Sequence, residues 1–298
     1  MNNNPDYIII GASVLDALAL PVAPNVFETG SVAADHIAMH TGGDALNEAT
    51  VLASLGESVR LVSKIGADYA GNYIDAHCQH LKMDTTFLRR EASLETSVNL
   101  VLVDDLGERH FVTSPNGCLR KLYPSDIPDT AFFGARYLCF ASIFVFPAFD
   151  DDALAKLLSE AKKGGLILCA DMTKPKHGET LEDLKNSLPL LDYIFPNQEE
   201  ASLLTGLTDC DDIADAFLQC GVRCVVLKTG AGGCFIKTAW ERYCVPAFPH
   251  ARCLDTTGAG DTFCASVLNF VLDHGLEGLT EGDLAEMLRF ANTAAYLV

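Results

Sequence analysis

From residue 136 to residue 227 the chain alternates short apolar runs with helix-like segments, and this alternation constrains the fold more than any other feature. Buried strands are predicted at residues 136–141, 166–171, 193–195 and 224–227, and helices at 153–163, near 180–187, at 198–204 and at 212–219. Consecutive parallel strands need long crossover connections, which are usually helices. The pattern therefore predicts an α/β fold with a doubly wound, mostly parallel sheet flanked by helices.

The first part of the chain adds further strands and a second, smaller sheet. The run at residues 7–11 predicts a buried strand that ends at a glycine, and residues 41–55 predict a helix that Gly56 terminates. Residues 17–41 favour short strands, and residues 96–113 favour a hairpin with a polar turn. We therefore expect one domain, 1–298, with a small β-sheet formed by segments at about 12–41 and 96–117.

Composition narrows the classes of function. Of 298 residues 49% are hydrophobic, and 40 acidic against 21 basic residues give a net charge of −19. This charge repels DNA and acidic membranes, so we expect no nucleic-acid or membrane partner. The eleven cysteines include no Cys-x-x-Cys pair, and the sequence has neither a signal peptide nor an 18-residue apolar stretch. We predict a reduced, soluble, cytoplasmic protein.

A glycine-rich turn, DTTGAGD at residues 255–261, precedes a helical pattern that includes Phe263 and Val267. Backbone N–H groups of such a turn point outward at the positive end of the helix, which favours a phosphate. Asp261 in the first helical turn would repel that phosphate. A general base beside a transferring phosphoryl group explains its position, although helix capping is the alternative interpretation.

Other nucleotide-binding motifs are absent from the sequence. It contains no G-x-x-x-x-G-K-[ST] and no G-x-G-x-x-G, since the run at residues 258–260 lacks the third glycine. A P-loop enzyme and a Rossmann dehydrogenase therefore lose their main support.

Several polar residues follow predicted strands, where open α/β sheets bind ligands. Asp16 comes five residues after Gly11, but by itself it favours a turn. Asn197 and Glu200 surround a helix start, where acidic residues are ordinary. Lys228 ends a strand and is either a phosphate ligand or a solvated cation.

The nine residues DTTGAGDTF at 255–263 resemble the C-terminal signature of the ribokinase-like (PfkB) family of carbohydrate kinases. The pattern Gly-Gly-x-x-x-Asn at residues 42–47 resembles the family's N-terminal signature, and the Asn-x-x-Glu at 197–200 is also present. The resemblance covers residues 5–298. It implies a ribokinase-like fold whose small sheet is a lid over the sugar and the surface of a homodimer.

The resemblance also implies the site residues. For catalysis they are Asp261 as general base and the amides of Gly258, Ala259 and Gly260. For the sugar they are Asp16, Gly42, Gly43 and Asn47. To these we add Asp44, which departs from the family pattern, and Arg109, whose place in the predicted lid allows it to reach over the site. For ATP they are Asn197, Glu200, Lys228, Gly230, Gly233 and Asn292. Asn197 and Glu200 would organise Mg²⁺ through water, and Asp255 and Thr257 would border a monovalent cation such as K⁺.

The predicted function is ATP-dependent phosphorylation of a sugar hydroxymethyl group. Asp44 stands where ribokinases usually have Lys, and its negative charge disfavours an anionic sugar, so we expect a neutral one. The run Phe140-Ala-Ser142-Ile143 resembles the Phe-Gly-Ser-Ile run of bacterial fructokinases, which implies a fructose-type ketohexose ahead of ribose. The alternatives are a nucleoside kinase, a 2-keto-3-deoxygluconate kinase that uses Arg109, and a non-catalytic sensor of sugar or nucleotide.

Overall fold

A computed structural model describes residues 4–106, 108–248, 258–274 and 279–297. Its β-strands are β1 Tyr7–Ile10, β2 Val14–Leu20, β3 His36–Gly42, β4 Val59–Gly66, β5 Leu88–Glu91, β6 Val98–Val103, β7 Arg109–Thr113, β8 Tyr137–Ile143, β9 Ile167–Met172, β10 Tyr193–Ile194, β11 Cys224–Lys228, β12 Cys234–Thr238 and β13 Arg242–Val245. Its α-helices are α1 Val26–Thr29, α2 Asp44–Leu55, α3 Tyr69–His80, α4 Asp151–Lys163, α5 Gln198–Thr205, α6 Cys210–Gln219, α7 Ala259–His274 and α8 Glu281–Tyr296.

Nine strands form the main sheet, in the order β13-β12-β11-β10-β9-β8-β1-β4-β5. The strands from β11 to β5 pair in parallel, and the hairpin β12–β13 adds an antiparallel edge. The alternation of strands and helices thus produced the doubly wound sheet that it predicts, because right-handed crossovers cover both faces of a parallel sheet with helices.

Both faces of the main sheet are buried. Tyr7 and Ile9 of β1 contribute to the core that α2, α7 and α8 cover, whereas Ile8 and Ile10 contribute to the core that α4, α5 and α6 cover. All four side chains are fully buried, because successive residues of a strand point to opposite faces. This explains why the central strands read as continuous apolar runs.

The second sheet has the order β3-β2-β6-β7 and confirms the predicted lid. Its strands come from the two predicted segments. β2 pairs in parallel with β6, and both outer strands are antiparallel to their neighbours. The central pair places Asp16 opposite Asn99.

Three elements differ from the expectations. The predicted helix near 180–187 is two 3₁₀ turns, Leu181–Leu184 and Leu188–Leu190, and Pro189 in the second turn lacks the N–H that a continuous α-helix needs. The edge strand β5 was not expected, because its sequence LRRE is mostly charged. Residues 26–29 form one helical turn between two lid strands.

Among the described residues, no helix is both long and apolar enough to cross a bilayer. The predicted cytoplasmic location stays a prediction.

Candidate active site

The candidate site lies at the carboxyl edge of the main sheet, where neighbouring parallel strands end together. Ser142 lies near the end of β8, Asp171 near the end of β9, Asn197 shortly after β10, and Lys228 at the end of β11. This edge is the usual ligand site of open α/β sheets. The helices α2 and α7 begin at the same edge and supply Asp44, Asn47 and Asp261.

Asp261 lies in the first turn of α7, as predicted, and is joined to α2. Asn47 donates from Nδ2 to Asp261 Oδ2 at 2.7 Å. Burial raises the pKa of Asp261, while the hydrogen bond from Asn47 and the charge of Lys228 oppose the rise. The raised pKa makes this carboxyl group a better proton acceptor than an exposed aspartate, as proton abstraction from a hydroxyl requires.

The turn before Asp261 was predicted to bind an anion, and the described part of it begins at Gly258. Gly258 has φ of +75°, a left-handed conformation that favours glycine. The first N–H groups of α7, which starts at Ala259, have no intrahelical acceptor. A Cβ atom built onto Gly260 would lie 3.7 Å from Lys228 Nζ. The positive charge of Lys228 is therefore close to the turn that precedes Asp261. Phosphate oxygens are the ligands that such a turn favours.

Lys228 and Asp171 form a buried ion pair close to the turn at Gly260. Lys228 Nζ lies 2.5 Å from Asp171 Oδ2, with side-chain exposures of 14% and 5%. Burial raises the pKa of Asp171 to about 7 against the pull of Lys228. Burial disfavours the charged form of Lys228, but the nearby Asp171 carboxylate favours it. The net result is a raised pKa of Lys228. Asp171 was missed by the sequence analysis, although a lone carboxylate at the end of the apolar run 166–171 was a usable signal.

Asn197 and Glu200 form a reciprocal helix cap at the start of α5. Glu200 N donates to Asn197 Oδ1, and Asn197 N donates to Glu200 Oε2, both at 2.9 Å. Burial raises the pKa of Glu200, and Lys228 partly offsets this. Asn197 also forms an isolated bridge with Lys228, so the pair lies beside the Asp171–Lys228 ion pair. Capping explains the spacing of the motif and leaves room for its predicted role with Mg²⁺.

A cleft of about 250 Å³ lies between the lid and this edge. Asp16 and Asn99 line it, and Asn99 donates from Nδ2 to Asp16 Oδ1 at 2.8 Å. The Oδ1 atom of Asn99 is buried without a hydrogen-bond partner among the described residues, so it can accept from a ligand hydroxyl. At Gly42 a Cβ would collide with the Asp16 carboxylate, and at Gly43 with the carbonyl of Ala12. Packing within the protein therefore requires both glycines, and their contact with a sugar stays a prediction.

Asp44 lines the cleft. Its Oδ2 atom accepts a hydrogen bond from Ser142 Oγ at 3.2 Å. Ser142 also accepts from Ala12 N, so the serine of the Phe140-Ala-Ser142-Ile143 run fixes the Asp44 carboxyl. Burial, with Asp261 and Asp171 nearby, raises the pKa of Asp44 to about 8. Asp44 is therefore mostly protonated at neutral pH.

Two exposed cations, Arg120 and Lys176, line the cleft and were not predicted from the sequence. Arg120 ends a 3₁₀ turn after the lid strand β7, and Lys176 lies in the loop after β9. Arg109, which was predicted, does not line the cleft. It pairs with Val103, four residues along β6 from Asn99 and thus about 13 Å along the strand.

The remaining predicted nucleotide residues lie around the β11–β12 connection and α8. Gly230 has φ of +56° with open space around it, which leaves room for a ligand. At Gly233 a Cβ would collide with the backbone after β13, so packing alone requires this glycine. Asn292 on α8 donates to the carbonyl of Pro246 at 3.4 Å. Asp255 and Thr257 lie outside the described residues.

Comparison with known proteins supports the class that the site suggests. A family model described as pfkB family carbohydrate kinase matches residues 6–298. Ribokinase of Haemophilus influenzae is 27% identical over 85% of this chain and 79% of its own length. The 2-dehydro-3-deoxygluconokinase of Escherichia coli is 27% identical over 78% and 82%. A structure of fructokinase with bound ATP from Xylella fastidiosa has a TM-score of 0.80 at 20% identity, with 98% and 92% coverage.

The fold and the site thus define a phosphotransferase that acts on an alcohol group. The chain belongs to the PfkB family of carbohydrate kinases, because the family model matches nearly its whole length. The predicted family, fold and class of enzyme are confirmed.

Proposed function

We propose that this protein transfers the γ-phosphoryl group of ATP to an exocyclic hydroxymethyl group of a small sugar. The observation that carries the proposal is the position of Asp261, which Asn47 holds at 2.7 Å directly after the left-handed turn at Gly258. A proton acceptor thus lies in the first turn of α7, whose first N–H groups have no acceptor within the helix. Asp261 acts electrostatically on Asp44, which lines a sugar-sized cleft.

Asp261 takes the proton of the sugar hydroxyl. The hydroxyl oxygen attacks the γ-phosphorus of ATP, and the bond between that phosphorus and ADP breaks. The amides of residues 258–261 stabilise the charge that develops on the transferred group, which is usually the largest contribution to such catalysis. Lys228 adds positive charge beside Gly260. The lid covers the cleft and excludes water, which would otherwise hydrolyse ATP.

The carboxyl groups at this edge fit a divalent cation. Burial raises the pKa of Asp171, Glu200 and Asp261, and the charge of Lys228 opposes each of these shifts. Glu200 and Asp261 also raise the pKa of Asp171, so carboxyl groups are crowded at this edge. Asn197 and Glu200 would hold Mg²⁺ through water, and the ion would neutralise charge on the phosphates. The K⁺ predicted at Asp255 and Thr257 lies outside the described residues.

For the sugar skeleton we propose a fructose-type ketose, because Ser142 of the fructokinase-like run fixes Asp44 in the cleft. The expectation of a neutral sugar rested on a charged Asp44 with no cation in the matching segments. The raised pKa of Asp44 and the presence of Arg120 and Lys176 remove both premises. The charge of the substrate is therefore argued separately below.

The test is ADP release from ATP and Mg²⁺ with a panel of ketoses, aldoses and nucleosides, with Asp261→Asn as the inactive control. Sugar-dependent ADP release with a phosphorylated hydroxymethyl in the product supports the proposal. Preference for adenosine or inosine would instead support a nucleoside kinase. Tight sugar binding without ADP release would support a sensor.

We also propose a homodimer through the lid. On the face of the lid opposite Asp16, Met39, Ala17, Leu100 and Val112 form one row across the four strands. Met39 is 59% exposed and Val112 54%, so the row is largely uncovered in one chain. Light scattering should give twice the mass of one chain, and Val112→Lys should return the monomer.

A further inference from the structure

We propose that the cleft selects sugars that carry an anionic group, and that Arg120 and Lys176 bind this group while the hydroxymethyl end lies between Asp44 and the base Asp261. The inference rests on the proposed function and extends it to the class of substrate. It names two specificity residues, one at the end of the lid segment and one in the loop after β9.

The balance of charged groups in the cleft differs from that of the whole protein. The chain has a net charge of −19, yet the ionisable residues lining the cleft are Arg120, Lys176, Asp16 and Asp44. Asp44 is mostly protonated at neutral pH, because its pKa is about 8. Among the described residues that line the cleft, the two cations thus match the two carboxyl groups in number, unlike in the chain as a whole.

Both cations are available to a ligand. Among the described residues, neither Arg120 nor Lys176 forms an ion pair or a side-chain hydrogen bond. By contrast, Lys64, Lys174 and Lys185 each contact a carboxylate. Two cations without carboxylate partners that border one small cleft can both contact one anionic group of a substrate.

The acids in the cleft are committed to other contacts. Asp16 accepts from Asn99 at 2.8 Å, and Asp44 accepts from Ser142 at 3.2 Å. The free Oδ1 atom of Asn99 completes a set of groups suited to hydroxyls. Asp16, Asn99 and Asp44 thus serve the polyol part of a sugar, and the two cations serve an acidic part.

A matched pair of sugars tests the inference. D-Fructose and 2-keto-D-gluconate share the skeleton and the C6 hydroxymethyl, and they differ in that the second has a carboxylate at C1. Fructose 1-phosphate places a phosphate at the same end. We expect kcat/KM with one of the two anionic sugars to exceed that with fructose about tenfold or more, as for a hydrogen bond to a charged group. The preferred acid identifies the anion.

Charge-removing variants locate the effect. Arg120→Gln and Lys176→Gln should each lower kcat/KM for the anionic sugar about tenfold and leave fructose within about threefold. Lys121→Gln is the matched control, because Lys121 is adjacent to Arg120 but does not line the cleft. Retained turnover of fructose shows that the variants are folded.

Calorimetric binding of the same three sugars, with a non-hydrolysable ATP analogue present, separates this inference from the proposed function. If no sugar is phosphorylated, the kinase proposal fails, but tighter binding of an acid that Arg120→Gln weakens still supports the inference. If fructose is bound and used as well as both acids, or if the variants do not discriminate, the inference is overturned.

Discussion

Asn47 Nδ2 lies 2.7 Å from Asp261 Oδ2, a contact between residues 214 positions apart in the chain. It joins the first turn of α2 to the first turn of α7 at the edge of the sheet. The sequence analysis assigned Asn47 to the sugar and Asp261 to catalysis. In the structure Asn47 also positions the base and opposes the rise in its pKa.

Removing this hydrogen bond should change the pH dependence of turnover. Asn47→Ala should raise the pKa of Asp261 further, because the bond stabilises the carboxylate. The base must be deprotonated, so the acidic limb of the kcat profile should move to higher pH. Asn269→Ala, which removes a hydrogen bond to Glu57 elsewhere on α7, is the control. An unchanged acidic limb in Asn47→Ala would contradict the assigned role.

Replacing the base itself should abolish turnover without loss of binding. Asp261→Asn retains the size of the side chain but cannot take the proton, so we expect kcat to fall by at least ~10²-fold. Calorimetry should show ATP and sugar affinities close to those of the native protein. Near-normal turnover would exclude Asp261 as the general base.

The Asp171–Lys228 pair should contribute to folding as well as to phosphate binding. Lys228→Met leaves Asp171 buried without its partner, and we expect the free energy of unfolding to fall by about 3–5 kcal/mol. The double variant with Asp171→Asn should recover part of this loss. Urea unfolding measures both effects.

A second buried pair is the control for function. Lys64 and Asp126 lie 2.5 Å apart with side-chain exposures of 4% and 5%, distant in sequence from the catalytic turn. Lys64→Met should also destabilise the fold, although less, because Arg89 Nη1 remains 3.1 Å from Asp126 Oδ1. Only Lys228→Met should lower kcat in the folded protein. Equal effects on kcat would remove the case for Lys228 at the phosphates.

Glu48 should make stability fall as the pH rises. It is fully buried on α2, with both carboxylate oxygens lacking hydrogen-bond partners among the described residues. Burial, with Asp171 and Asp261 nearby, raises its pKa well above 4.5. The folded state therefore holds the proton more tightly than the unfolded state. This contribution is complete below pH 4.5 and is lost as the pH rises through the folded pKa.

Glu48→Gln isolates this contribution. Between pH 5 and pH 8 the free energy of unfolding of the native protein should fall relative to the variant, by up to about 1.4 kcal/mol per pH unit. The exposed Glu286 provides the matched control, Glu286→Gln. Parallel curves for Glu48→Gln and the native protein would show that Glu48 has an ordinary pKa.

The strands, the glycine turn and the helix starts follow from local patterns, which is why they could be predicted. Apolar runs and capping residues act over a few positions, and the predicted Asn197–Glu200 spacing became a capping box. The antiparallel hairpin of the lid was predicted because a polar turn separates its two strands. These features need no knowledge of tertiary contacts.

The lining of the cleft could not be predicted in the same way. Asn99 lies beside Asp16 only through the register of β2 and β6, because the two residues are 83 positions apart in the chain. Arg120 lies at the end of a 3₁₀ turn and Lys176 in a loop. Both reach the cleft only because of how the lid packs on the main sheet. Arg109, the cation predicted in the lid, lies at the end of β7 that pairs with Val103, away from Asn99. Its position along the strand keeps it from lining the cleft.

Protonation of Asp44 should be visible in the pH dependence of sugar use. Burial, with Asp261 and Asp171 nearby, raises the pKa of Asp44 to about 8, so the group is neutral below that pH and becomes a carboxylate above it. Deprotonation removes a hydrogen-bond donor and adds negative charge to the cleft. We therefore expect kcat/KM to fall as the pH rises through about 8, and more steeply for an anionic sugar than for fructose.

Asp44→Asn, which stays neutral, should keep a flat profile there. Ser142→Ala removes a hydrogen bond that favours the carboxylate, so it should move the fall to higher pH. A fall at the same pH in Asp44→Asn would assign the titration to another group.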